Sequence, residues 1–242
     1  HMLTDFAALA MAFAAVRVAR RPADPKRTYG FDRVTVLAAF VNGLTLVAVA
    51  GWIVIEAVRR LLSPQAVEGD LMLGVAVAGL LVNIAAFFVL TRAEGPNINL
   101  RAAALHVLGD LLGSVAAITA AAVILVTGWM PIDPILSVLV AVLILRSAVA
   151  ILRESGHILL EGAPIGFDAA AVATDLETSV PGVRRVSHLH AWSISEERPM
   201  ATLEAHLAPG TEPGAAREAI KTRLATVHGI DHATVETLEE AG

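Results

Sequence analysis

The chain has no cysteine, few aromatic residues and few charged residues. Of its 242 residues, 5% are aromatic and 17% are charged, whereas an ordinary soluble domain is about 25% charged. Without cysteine the protein cannot form disulfides, Cys-ligated zinc sites, iron–sulfur clusters or a cysteine nucleophile. The scarcity of aromatic residues and the net charge of −5 also argue against nucleic acid as a partner.

Long apolar runs take the place of the missing charges. Hydrophobic residues make up 56% of the chain, and residues 34–55 and 71–90 contain no charged side chain. A helix needs about 20 such residues to cross a bilayer. With three further runs, the sequence predicts an α-helical integral membrane bundle of five spans, forming a transmembrane domain over residues 1–160. The predicted spans cover residues 1–20, 33–60, 70–92, 99–127 and 132–154.

Basic residues indicate how the bundle is oriented. The first loop and its flanks contain six of the 18 basic residues, namely Arg17, Arg20, Arg21, Lys26, Arg27 and Arg33. The loop at residues 128–133 contains none. Because cytoplasmic loops are enriched in Lys and Arg, the first and third loops and the C-terminal tail are predicted to be cytoplasmic.

The composition becomes more polar after about Pro164. Helical spacing and strand-like alternation follow each other in the order α-β-β-α-β. The helices are predicted at residues 168–179 and 213–227, and the strands at 183–194, 200–207 and 233–238. This order predicts a small α+β domain over residues 165–242, with its helices on one face of the sheet.

Two His/Asp pairs fall inside predicted membrane spans. His106 precedes Asp110 by four residues, and His1 precedes Asp5 by the same number, so each pair shares one helix face. Charged groups at membrane depth are costly and are usually functional. Two imidazoles and two carboxylates suit tetrahedral Zn²⁺. A hydrogen-bonded polar contact between helices is the alternative, and it explains one such pair more easily than two.

Several segments resemble the cation diffusion facilitator family, in its zinc-transporting branch. The resemblance runs in order along nearly the whole chain and rests on HMLTD (1–5), TYGFDRVTVLAAFVNG (28–43), LHVLGDLLGS (105–114), LLEGAP (159–164), HLHAW (188–192) and EAHL (204–207). It implies six membrane helices, a ferredoxin-like metal-binding domain, a homodimer formed through that domain, and zinc export from the cytoplasm in exchange for protons. It also implies that His1, Asp5, His106 and Asp110 form the transport site. The implied location is the bacterial plasma membrane, with Cd²⁺ and Co²⁺ as further candidate substrates.

The sequence departs from the family pattern at its start. The family's first helix is missing, so we expect the sequence to be a fragment of a longer chain. The first cytoplasmic loop contains no histidine, so the second metal site that some members have there is not predicted.

Histidines in the C-terminal domain are candidates for a second zinc site. The family binds cytoplasmic metal at the dimer contact of this domain, which implicates the strand residues His188, His190, His206, His232 and Glu236. Ordinary surface or core histidines are the equally supported alternative. A membrane-bound metal sensor or a proton or cation channel remains an alternative for the whole protein. An enzyme is not predicted, because no nucleophile–base constellation or phosphate loop is found.

Overall fold

The computed structural model describes residues 13–63, 69–91 and 98–239. The chain divides into two compact units between Ser155 and Gly156, near the end of a long helix. Each unit has its own elements and is described separately.

The first unit is helical. Its described elements are α1 (residues 13–19), α2 (Arg33–Leu62), α3 (Gly69–Thr91), α4 (Ile98–Thr127) and α5 (Ile132–Leu159). Within the described residues, three segments are long and apolar enough to cross a membrane, namely α2, α5 and the Val107–Thr127 part of α4. Large apolar side chains such as Leu81, Val126 and Leu139 lie exposed on the helices, which is the surface that lipid requires. The count of five spans stays a prediction.

Small residues allow the helices of this unit to approach closely. A β-carbon on Gly43 of α2 would lie 2.9 Å from Leu152 Cγ of α5, and one on Gly109 of α4 would lie 3.1 Å from Ile144 Cγ1. Helix contacts of this kind are typical of membrane bundles, where association depends on close packing. The contact between Gly43 and Leu152, together with an ion pair near the other end of α2, shows that α2 and α5 run antiparallel.

The second unit has the predicted α-β-β-α-β order. It consists of α6 (Ala169–Ser179), β1 (Val183–Ser193), β2 (Pro199–Leu207), α7 (Pro213–His228) and β3 (His232–Glu239). The sheet order is β1-β2-β3, with β1 antiparallel and β3 parallel to β2. The small α/β domain with a three-stranded sheet is therefore present, and its closer likeness to ferredoxin stays a prediction.

Local sequence explains where the two helices of this unit begin. The Asp168 side chain accepts hydrogen bonds from the backbone N–H groups of Ala170 and Ala171 at the start of α6. Glu212 accepts from Gly214 and Ala215 at the start of α7, where Pro213 occupies the first turn. These backbone donors lower the pKa of the Glu212 carboxyl.

One face of the sheet forms the core of the second unit. Leu203, Ala205 and Leu207 of β2 are almost fully buried, and they belong to the same cluster as Leu176 of α6 and Ile220 of α7. Side chains alternate along a strand, so the intervening residues of β2 occupy the opposite face. That open face carries the polar residues Thr202, Glu204 and His206, all partly exposed.

Candidate metal site

A cavity of about 540 Å³ lies within the first unit, among α2, α3, α4 and α5. Most of its wall is apolar, as expected inside a membrane bundle. Its polar side chains are Thr45, Glu56, Arg60, Asn83, Asp110, Ser114, Asp133 and Ser137. An apolar cavity with a few convergent polar groups is the usual form of a small-ligand site.

Asp110 is the predicted metal ligand that the structure places in this cavity. It lies on α4, about 18 Å along the helix from Ile98 at 1.5 Å per residue. The carboxylate is half-buried. One turn later, Ser114 Oγ donates a hydrogen bond to the Asp110 backbone carbonyl at 2.9 Å. Asn83 of α3 lines the same cavity, so a carboxylate and an amide face one space from neighbouring helices.

The other three predicted transport ligands fall where the structure describes no side chain. His106 belongs to α4, one turn before Asp110, but its side chain lies outside the described part. His1 and Asp5 lie outside the described residues altogether. The four-residue site of His1, Asp5, His106 and Asp110 therefore stays a prediction.

Three charged residues form a second polar group in the cavity wall, which we call the helix-end cluster: Glu56, Arg60 and Asp133. Arg60 Nη1 donates to Asp133 Oδ2 at 3.1 Å, and Arg60 Nε donates to Glu56 Oε1 at 3.3 Å. The sequence patterns do not predict this cluster. The sequence feature that could have indicated it is the presence of charged residues at the ends of the apolar runs that form α2 and α5.

The candidate residues of the second unit all lie on strands at the open side of the sheet. His190 is paired with Thr202, Glu236 with Glu204, and His232 with Met200. The β1–β2 pairing is irregular between Ser187 and His190, and His188 there has a positive φ of 50°. This bulge brings Ser187 and His188 to the same face, because both side chains contact Glu204.

His206 is already engaged on this face. Its Nε2 lies 2.8 Å from Ser187 Oγ and 3.2 Å from Arg185 Nη2. His188 Nδ1 lies 3.5 Å from Glu204 Oε1. In the parts of the chain that the structure describes, no three His, Asp or Glu side chains come together as a metal site. The second zinc site thus stays a prediction, and Arg185 and Ser187 both lie within hydrogen-bond distance of the His206 ring.

Comparison with known proteins places the chain in a family. Residues 1–160 match the cation efflux transmembrane domain. The chain is 51% identical to a protein of Pectobacterium atrosepticum named zinc transporter ZitB, over 98% of this chain and 74% of the relative. It is 38% identical to the metal cation efflux system protein CzcD of Cupriavidus metallidurans, over 98% of this chain and 75% of the relative. It is 37% identical to a cadmium, cobalt and zinc/H(+)-K(+) antiporter of Bacillus subtilis, over 81% of this chain and 63% of the relative.

The family match covers the apolar helices, the cavity and Asp110, and the matches to ZitB and CzcD continue through the α/β unit. The resemblance read from the sequence motifs is thereby confirmed. The chain belongs to the cation efflux family of membrane transporters, also called cation diffusion facilitators.

Proposed function

We propose that this protein exports Zn²⁺ from the cytoplasm in exchange for protons. The proposal rests mainly on the position of Asp110. Its half-buried carboxylate belongs to an apolar helix and lines a cavity among four helices. Ionisable groups at membrane depth are costly, face the bundle interior or a cavity, and usually mark an ion pathway. The zinc transporter name of the Pectobacterium relative supports zinc as the substrate. The name of the Bacillus relative makes cadmium and cobalt further candidate substrates.

Zinc would be held by His106 and Asp110 of α4 together with His1 and Asp5. Two imidazole nitrogens and two carboxylate oxygens match the tetrahedral preference of Zn²⁺. Zinc binds only the deprotonated forms of these groups, so metal binding releases protons and protonation releases metal. A site that opens alternately to each side would then couple zinc export to proton entry.

The cavity supports a path for the ion on one side of Asp110. Along α2 the cavity wall extends from Thr45 to Arg60, about 22 Å of helix. The N-terminus of α2 follows the loop that is rich in basic residues. With that loop in the cytoplasm, the cavity leads from Asp110 toward the outer face of the membrane.

We also propose that the second unit lies in the cytoplasm and forms a homodimer contact. Its polar open face and its charged helices suit an aqueous setting. Zinc on that face would be a regulatory ligand and not the transported ion.

Reconstitution in liposomes tests the transport proposal. Zinc and proton fluxes are recorded together for the wild type, for Asp110→Asn and for the control Asp24→Asn, whose carboxylate accepts hydrogen bonds from the Lys26 and Arg27 backbone in a loop. We expect opposed zinc and proton fluxes in the wild type and the control, and none in Asp110→Asn. Saturable zinc binding without flux would indicate a sensor. Zinc flux without an opposed proton flux would indicate a channel.

A further inference from the structure

The helix-end cluster joins two helices at one end of the cavity. Arg60 and Glu56 lie one turn apart near the end of α2, and Asp133 lies in the first turn of α5. Asp110 lies at a different level, because the adjacent Gly109 packs against Ile144, about 16 Å further along α5 from Asp133. The cluster and Asp110 therefore stand toward opposite ends of the same cavity.

The two partners of the ion pair differ in how freely they can move. The Asp133 side chain is 10% exposed, whereas that of Arg60 is 49% exposed. Asp133 is held in place by its burial and is favoured by the N-terminal dipole of α5. Arg60 has a long, half-exposed side chain, which can change rotamer and break the ion pair without a movement of α2. Arg60 is thus the movable partner.

The charges of the cluster have a direct consequence for a passing cation. With Arg60 in place, its guanidinium lies between Glu56 and Asp133 and neutralises one of their two negative charges. With Arg60 displaced, two carboxylates line this end of the cavity and attract a cation. The buried Asp133 then needs another positive partner, since an unpaired buried charge is costly.

We propose that the Arg60–Asp133 ion pair is a gate that controls cation passage between Asp110 and the outer end of the cavity. The gate closes when Arg60 bridges α2 to α5, and it opens when Arg60 swings away. This role rests on the proposed transport function, because it assigns Arg60 to the exit path of the same ion. Arg60 acts as a positioning residue and not as a zinc ligand.

Because the sequence contains no cysteine, one introduced cysteine can report how accessible the cavity is to a thiol reagent. Ser114→Cys is a nearly isosteric change that places a single thiol in the cavity wall, one turn from Asp110. The thiol is reacted with membrane-impermeant methanethiosulfonates, one cationic and one anionic, added to the outer face of right-side-out vesicles. The rate of modification then measures how readily this part of the cavity is reached.

The variants compared in this background are Arg60→Gln, Asp133→Asn and the control Arg59→Gln. Arg59 is the neighbouring basic residue in the last turn of α2, and it does not line the cavity. We expect Arg60→Gln and Asp133→Asn each to accelerate modification by both reagents, by up to about fivefold, the upper end of what loss of a partly exposed ion pair produces. Arg59→Gln should react like the parent, and Arg60→Lys should fall close to it because the positive charge is kept.

Three results would overturn the gate. Equal rates in all variants would show that the pair does not limit access. An equal acceleration in Arg59→Gln would show that loss of any positive charge at this end of α2 has the same effect, without a role for the Arg60–Asp133 pair. No modification from the outer face in any variant would show that the cavity does not lead there. Zinc flux is measured separately in the wild type and in Arg60→Gln, both without the added cysteine. Absence of flux in the wild type would contradict the transport proposal, whereas the modification rates test the gate.

Discussion

Asp175 and Arg223 join the two helices of the second unit through a two-point ion pair. Arg223 Nη2 donates to Asp175 Oδ1 at 2.6 Å, and Arg223 Nε donates to Asp175 Oδ2 at 2.9 Å. His228 Nε2 lies 2.8 Å from the same Oδ2. Asp175 belongs to α6, whereas Arg223 and His228 belong to α7. One carboxylate thus fastens both helices on the covered face of the sheet.

This ion pair predicts a pH-dependent stability. Arg223 first, and then His228, holds the pKa of the Asp175 carboxyl well below its ordinary value of 3.8. A group whose folded-state pKa is lowered stabilises the fold above its unfolded pKa and loses that contribution as the pH falls toward the folded value. Asp175→Asn should therefore destabilise the second unit at pH 7, and the difference from wild type should shrink below about pH 4.

Tryptophan fluorescence can follow this unit within the full chain. Trp192 is the tryptophan of the second unit, so Trp52→Phe and Trp129→Phe isolate its signal. Urea unfolding from pH 3 to pH 7 compares Asp175→Asn with Glu218→Gln, an exposed carboxylate on α7 that should have little effect. A difference between Asp175→Asn and wild type that stays constant with pH would contradict the prediction.

Two glycines of α2 form a matched pair for testing the helix packing. A β-carbon on Gly43 would lie 2.9 Å from Leu152 Cγ, whereas one on Gly51 would meet no atom within 4 Å. Both substitutions to alanine gain about 1 kcal/mol of intrinsic helix preference. Overpacking costs about 1–3 kcal/mol, so Gly43→Ala should be neutral to destabilising. The Tm in detergent should be lower for Gly43→Ala than for Gly51→Ala, and equal values would refute the packing of α2 on α5.

The open face of the sheet predicts competition between Arg185 and zinc. Zinc needs a ring nitrogen lone pair of His206, and the guanidinium lies 3.2 Å from that nitrogen and can only donate. If the second zinc site exists, Arg185→Ala should raise zinc affinity by up to about fivefold, the upper end for an interaction between exposed charges. Calorimetric titration of the full chain carrying Asp110→Asn isolates this site. Arg184→Ala is the control, because it removes the same charge from the adjacent position. The site is absent if His206→Ala leaves zinc binding unchanged.

The membrane character and the element order of the second unit could be predicted from the sequence because both depend on local patterns. Uncharged runs such as residues 34–55 indicate spanning helices from length alone. Alternation along β1 and β2 indicates strands before any partner is known. Asp110 stands out because a carboxylate in an apolar helix is costly wherever the helix packs.

Tertiary structure decided the features that depend on distant parts of the chain meeting. Arg60 and Asp133 are separated by 73 positions, and nothing local to either residue indicates their ion pair. The same holds for Asp175 with Arg223, and for Arg185 with His206. The bulge at His188 also depends on how β1 pairs with β2. Local sequence determined which helices and strands form and which residue types they carry, whereas packing between elements decided which charges neutralise one another and which stay available to an ion.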